Sequence, residues 1–347
     1  MTSLSRILLA PLAVCGVAAL LGAFVSPAVG PFYSKVMIDV CIAIVLAVSL
    51  NIVNGYTGQF SIGHGGFMAV GGYVGGWLTY YGGILFLGGP GPHGGVAGAL
   101  TFFGATVVGG LAAAVAGFVV GLPSLRLRGD YLALVTLGFG EIVRVIITQT
   151  EDVAYNRAEI LATPIPQLLP KVGGALGFTG LPFYTSLGWA AAWCGVVVVV
   201  AARLKRSSHG LAMLAVREDE VAAGAMGIHT TRSKVLAFVL AAFFAGVAGV
   251  LFSHEIGTTL NPRELGFQKS FEVVIMVVLG GMGSLSGSVV AAIGLTVLPE
   301  LLREFSQYRM IVYALLLVVV MIVRPKGLFG VAELWDLPPF RRKKGGK

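Results

Sequence analysis

Charge is what this sequence has least of. Asp, Glu, Lys and Arg make up 12% of its 347 residues, against roughly 25% in an ordinary soluble domain. A chain so poor in charge and 56% hydrophobic cannot clothe its apolar residues in a polar surface, which excludes a soluble globular protein. Cysteine is scarce as well. Cys15, Cys41 and Cys194 lie far apart in apolar runs with no metal or redox spacing, so they read as packing residues. No G-x-x-x-x-G-K-[ST] loop occurs, so ATP is not bound in that way, and neither H-E-x-x-H nor G-x-S-x-G is present. The five histidines, His64, His93, His209, His229 and His254, are scattered. With no nucleophile and no metal constellation, an enzyme is the poorest reading, and no catalytic or metal-ligating residue is expected.

What fills the chain instead is a series of apolar runs, near 7–26, 36–53, 58–82, 95–122, 131–149, 185–202, 235–253, 270–282, 285–302 and 309–323. A crossing helix needs about 17–25 residues, so the pattern predicts an all-α polytopic membrane protein with about ten crossings. The third and fourth runs are long and glycine-rich, which points to tilted or interrupted helices; the eighth is too short to cross as a straight helix. The run at 7–26 is long for a signal core, and more spans follow, so it reads as a retained first span. No low-complexity linker or soluble domain intervenes. Residues 1–330 form one membrane domain, and 331–347 a basic tail, most simply a topology anchor.

The net charge of +8 sits in loops and tail and calls for no nucleic acid. With ten crossings and a cytoplasmic N-terminus, the inside segments hold Arg6, the pair Arg126 and Arg128, six basic residues within 203–234 and seven in the tail, sixteen in all. The outside segments hold seven: Lys35, Arg157, Lys171, Arg263, Lys269, Arg303 and Arg309. This bias places both termini in the cytoplasm; a re-entrant arrangement of 270–299 would change the parity. The long segment 150–185 then faces outward, and its four prolines (Pro164, Pro166, Pro170, Pro182) rule out one long helix.

Four stretches stand out. Residues 203–234, RLKRSSHGLAMLAVREDEVAAGAMGIHTTRSK, form the longest polar interruption, with a predicted helix over Leu211–Met226. A short helix with one charged and one small apolar edge, held between two spans, suits docking on a soluble partner. Asn51–Gly76 is too rich in glycine for a plain helix interior, where each costs about 1 kcal/mol against Ala. Non-helical backbone at membrane depth survives only when buried in protein or lining a cavity. Here small and polar residues coincide (Asn54, Gly58, Gln59, Ser61, Gly63 and His64), favouring an interrupted helix on a translocation path over simple close packing. Leu279–Gly287 repeats the spacing G-x-x-G-x-x-S: Gly55, Gly58, Ser61 in one stretch and Gly280, Gly283, Ser286 in the other, with Gly281 and Ser284 between. Two related halves with interrupted helices at matching positions would look like this. Glu141 and Arg144, three apart inside the fifth run, read first as a mutually neutralising pair and second as a substrate contact. In Leu125–Tyr131, LRLRGDY, the arginines read as a topology anchor.

Together these stretches resemble the permease subunit of branched-chain amino acid ABC importers. The residues carrying the resemblance are GYTGQFSIGHGGFMAVGGY (55–73), LRLRGDYLALVTLGFGEIVR (125–144), the segment 210–251, VLGGMGSLSGS (278–288) and the terminal RPKGLFG, in family order from about residue 35 to 330. The resemblance implies a multi-pass subunit of the bacterial cytoplasmic (inner) membrane that binds no cofactor itself. Two cytoplasmic ABC ATPase subunits would use the ATP. A second, different permease would complete the path, and an extracytoplasmic binding protein would deliver substrate. It makes 203–234 the coupling loop, with Met213, Val216, Arg217, Glu218, Asp219, Glu220, Ala222, Ala223 and Gly227 as candidate ATPase contacts. Many ABC importers carry Glu-Ala-Ala-x-x-x-Gly there. This chain keeps Ala222, Ala223 and Gly227, but its acid, Glu220, is displaced by one position, which puts Glu220's role in doubt.

Two other readings stay open at this level. A urea or amide importer of the same build is the near alternative. An ion-coupled secondary transporter is the distant one, and it would be expected to hold coupling carboxylates near mid-membrane, where only Glu141 qualifies and Arg144 shadows it.

Overall fold

The computed structural model describes residues 30–89, 91–124, 130–256, 259–305, 309–324, 327–330 and 333. The run at 7–26 with Arg6 and Cys15, the arginines of LRLRGDY, Pro325–Lys326 and the tail from 334 onward lie outside them. The second to tenth apolar runs each become a helix. These are α1 (Pro31–Asn51), α2 (His64–Phe86), α3 (Gly95–Ser124), α4 (Asp130–Thr148), α7 (Leu187–Arg206), α10 (Thr230–Ile256), α11 (Phe267–Gly280), α12 (Leu285–Leu301) and α13 (Arg309–Val323). Among the described residues, five helical segments are long and apolar enough to cross a membrane: Pro31–Tyr56, Gly95–Pro123, Tyr131–Thr148, Leu187–Arg206 and Thr230–Glu255. The eighth run, α11, is 14 residues, about 21 Å at 1.5 Å per residue, and falls short of a ~30 Å hydrocarbon core.

α1 and α10 are the buried centre. From Ile42 to Tyr56 every residue is buried, the pattern of a helix apolar on all sides. α10 packs on α1, α2 and α3, and its crossings are made at glycines. A Cβ on Gly249 would lie 1.9 Å from the Met68 carbonyl oxygen, and one on Gly71 would lie 2.3 Å from Gly246 Cα. Gly246 meets α3 in turn: a Cβ on it would lie 2.9 Å from the Gly109 oxygen. Membrane helices gain little from the hydrophobic effect against one another, so close backbone approach through small residues supplies the packing. Far apart in sequence, the free cysteines Cys41 of α1 and Cys194 of α7 lie on helices that pack against each other.

The segment 150–185 is short pieces, as its prolines require: α5 (Arg157–Ala162), α6 (Ile165–Leu168), a 3-10 turn at Gly174–Leu176 and strand β1 (Phe178–Thr179). β1 pairs antiparallel with β2 (Thr259–Leu260), and an isolated parallel bridge joins Glu151 and Lys171; among the described residues the rest of the regular structure is helical. Aromatic residues of α2 strap this segment down. Tyr73 donates to Leu260 O at 2.7 Å, Trp77 to Leu168 O at 3.0 Å, Tyr80 to Ala154 O at 3.2 Å and Tyr81 to Lys171 O at 2.7 Å. Each ring is an apolar body with one polar tip, the residue type suited to a boundary between apolar helix and polar loop.

Candidate functional site

At the opposite end of the bundle, the predicted helix over 211–226 is two helices, α8 (Ser208–Glu218) and α9 (Glu220–Ala225). Asp219 makes the corner. Its backbone is extended (φ −155°, ψ 113°), and its Oδ1 accepts from the N–H groups of Val221 at 2.8 Å and Ala222 at 3.0 Å. A side-chain oxygen that satisfies the orphan donors of a new helix start competes with helix continuation at that residue. Ser207 does the same for α8, accepting from Gly210 N at 3.1 Å. Gly227, at φ +84°, ends α9, and Ile228 N returns to Ala223 O at 3.1 Å. Glu220 and Lys234 pair at 2.6 Å and tie the start of α9 to the start of α10.

The candidate contacts in this loop divide into two faces. Met213, Val216 and Ala223 are buried against the chain's own helices, so they support the surface from behind. Glu218, Asp219, Ala222 and Gly227 are exposed, beside the exposed apolar side chains Leu211, Val221 and Met226. Arg217 turns inward.

Arg217 Nη1 donates to Gly55 O at 2.7 Å. Its aliphatic stem lies over Gly58, where a Cβ would sit 3.0 Å from Arg217 Cγ, and a Cβ on Gly283 would lie 2.3 Å from Nη1. α1 does not run on into α2. It passes through a π turn at Ile52–Tyr56 and an irregular, non-helical stretch that includes Gly58 at φ +69° before α2 begins at His64. α11 and α12 are joined by a matching turn with Gly281 at φ +107° and Gly283 at φ +91°. The two turns touch: Gly283 N donates to Asn51 Oδ1 at 2.8 Å, Asn51 Nδ2 to Ser284 O at 3.1 Å, and a Cβ on Gly55 would lie 2.4 Å from Gly283 N. Asn51, Gly55, Gly58, Arg217, Gly283 and Ser284 thus form one clasp that joins both G-x-x-G-x-x-S stretches to α8.

Two residues with no distinguishing mark in the sequence complete it. Lys205, near the end of α7, donates to Gly283 O at 2.7 Å and pairs with Glu333. Glu333 accepts from Leu285 N at 3.1 Å, Ser286 N at 3.0 Å and Ser286 Oγ at 2.8 Å, at the N-terminus of α12, where a carboxylate is favoured. Burial pushes the Glu333 carboxyl up, but the Lys205 ammonium and these donors outweigh it and hold it below the ordinary carboxylate range. Gly327–Gly330 lies along the end of α11, with Leu328 N on Leu279 O at 2.7 Å and Gly281 pressed on Gly330. Lys205 was one basic residue among six in its stretch, and Glu333 stands in a tail read as an anchor.

The remaining polar residues of 51–66 are buried and mostly paired inside the protein. Asn54 bridges the non-helical stretch, accepting from Ser61 N at 3.1 Å and donating to Ser61 O at 3.4 Å. His64 meets Ser49 Oγ at 2.8 Å, and Gly63 lies against the Thr136 backbone of α4. Gln59 Oε1 is buried with no hydrogen-bond partner among the described residues. Glu141 and Arg144 bond each other at 2.7 Å, and Glu141 Oε1 accepts from Phe267 N at 3.3 Å, so the pair holds the start of α11 against α4. It lies well away from the clasp, at the other end of α11.

The chain matches the family described as branched-chain amino acid transport system / permease component over residues 32–323. It is 37% identical over 320 residues to the high-affinity branched-chain amino acid transport system permease protein LivM of Escherichia coli (strain K12), covering 88% of this chain and 70% of that protein. Similarity to LivH of Salmonella typhimurium is 35% over 133 residues, 38% of this chain and 42% of that one. A probable LivM of Methanocaldococcus jannaschii is 23% identical over 339 residues, 86% and 93% of the two chains. No solved structure matches. The chain therefore belongs to the family of branched-chain amino acid transport system permease components.

Proposed function

We propose that this chain is a membrane permease subunit of an ATP-driven importer for branched-chain or other apolar amino acids, and that α8 and α9 receive the force from a separate ATPase. The observation that carries the reading is the clasp: Arg217 leaves the α8–α9 surface and bonds directly to the Gly55 turn, which bonds to the Gly283 turn. Anything that displaces α8 therefore pulls on both interrupted-helix turns at once. Leu211, Val221 and Met226, exposed beside Glu218 and Asp219, give an apolar centre with a charged rim, the composition of a docking surface.

In this reading residues 1–330 are one permease domain of about ten crossings in the cytoplasmic (inner) membrane, with both termini and the 203–234 loop inside and 150–185 outside. The partners are a second, different permease, two ABC ATPase subunits and an extracytoplasmic binding protein. The path runs beside Asn54, Gly58, Gln59, Ser61, Gly63, His64, Gly280, Gly281, Gly283, Ser284 and Ser286. Glu141 and Arg144 complete that set, and in the structure they bond each other rather than standing free. Small residues at the turns allow two discrete packings, which alternating access needs.

The test is uptake of labelled leucine into proteoliposomes containing both permeases, the ATPases and the binding protein. Uptake should require ATP and every component. Uptake that continues without the ATPases, driven by an ion gradient, would contradict the reading.

A further inference from the structure

The end of α1 opposite the clasp carries a cluster that the coupling scheme does not use. Lys35 Nζ lies 2.9 Å from Glu255 Oε1 of α10 and 3.2 Å from Asp39 Oδ2 of α1. An ammonium has three donors, and these two bonds occupy two of them. The Glu255 side chain is 3% exposed, yet its second oxygen, Oε2, is buried with no hydrogen-bond partner among the described residues. A buried carboxylate oxygen without a donor costs free energy that a structural ion pair should not leave standing. Lys35 and Glu255 line an open pocket of about 480 Å³ together with the apolar residues Pro31, Ile38 and Phe183. From Lys35 to Asn51 is sixteen residues of one helix, about 24 Å by helical rise, so the pocket is a separate site from the clasp.

A lone cation, an anion or an apolar ligand would each leave part of this chemistry unanswered. A zwitterionic α-amino acid answers all of it: its carboxylate takes the third donor of Lys35, its ammonium supplies the missing donor to Glu255 Oε2, and its side chain rests on Ile38 and Phe183. We propose that this pocket is the entry site at which the permease receives the α-amino and α-carboxyl groups of its substrate. The assignment rests on the permease reading above and adds the residues that meet the substrate. Asp39 continues the polar line inward. It also borders a second pocket of about 180 Å³ that holds Thr296, whose hydroxyl oxygen is likewise buried without a partner among the described residues.

The experiment is ATP-driven uptake of labelled leucine by the complete importer in proteoliposomes, normalised to assembled complex. Glu255→Gln and Lys35→Met should each lower uptake at least tenfold. The exchange Lys35→Glu with Glu255→Lys restores an ion pair but reverses the zwitterion's partners, and uptake should stay at least tenfold down. Phe183 is exposed, so Phe183→Ser leaves the fold intact, and it should lower uptake at least threefold. Recovery of more than half the wild-type rate in the exchange variant would make the pair merely structural and overturn the proposal. So would wild-type uptake in Phe183→Ser. No uptake by the wild-type assembly would instead overturn the permease reading, and this site with it.

Discussion

Gly283 sits at φ +91°, and the space its missing Cβ leaves is filled by the Arg217 guanidinium. Any side chain there meets both a backbone penalty of about 1–3 kcal/mol and a clash with the clasp. Gly283→Ala should lower the thermal midpoint of the purified complex and cut leucine uptake, whereas Gly294→Ala, on α12 where a Cβ has open space, should leave both unchanged; equal effects would mean that the turn is not special. Glu333 gives a pH signature. Its carboxyl is held below the ordinary range, so it contributes stability above the unfolded value of about 4.3 and loses that contribution as pH falls through the folded value. The thermal midpoint should therefore fall on acidification below about pH 4. Glu333→Gln should lower the midpoint at neutral pH and make the acid fall less steep, and identical pH profiles for the two proteins would contradict the Lys205–Glu333 account. At this scale the sequence marked the glycines and Arg217. It could not mark Lys205 or Glu333, because what distinguishes them is a contact between residues 128 apart in the chain.

Among the elements, the apolar runs were legible because a membrane span is set by length and hydropathy, and nine runs became nine helices within a few residues. The loop 203–234, proposed above as the coupling loop, was legible as polar and helical, but its division was not. Asp219 fits a charged helix edge as well as it fits a cap, and only its extended backbone decides between them. Which glycines are crossing points and which are turns was equally hidden, since both read as glycine in an apolar run. The crossing of α2 and α10 at Gly71, Gly246 and Gly249 is close enough that Gly249→Val should destabilise by more than the roughly 1–3 kcal/mol of ordinary overpacking, because the obstruction is the Met68 carbonyl and not a movable side chain. The readout is the yield and thermal midpoint of the detergent-purified complex; a midpoint within a degree of wild type would show that the helices can part without cost.

Over the whole molecule, the force input and the path-shaping turns proposed above are not separate parts joined at a distance. α8, the α1–α2 turn and the α11–α12 turn share one hydrogen-bonded clasp, with the C-terminal segment around Glu333 closing it. Two stretches with the same G-x-x-G-x-x-S spacing, more than 200 residues apart, meet at that point. The spacing was visible in the sequence, but the meeting was not, since it depends on Asn51 reaching across to Gly283. The most direct test is the ratio of leucine taken up to ATP hydrolysed by the complete importer carrying Arg217→Ala. The guanidinium's hydrogen bond is of the charge-assisted kind, about 1.5–3 kcal/mol, enough to change coupling roughly tenfold or more. The clasp account predicts at least tenfold less uptake per ATP, with hydrolysis within about twofold of wild type. An unchanged ratio would contradict it.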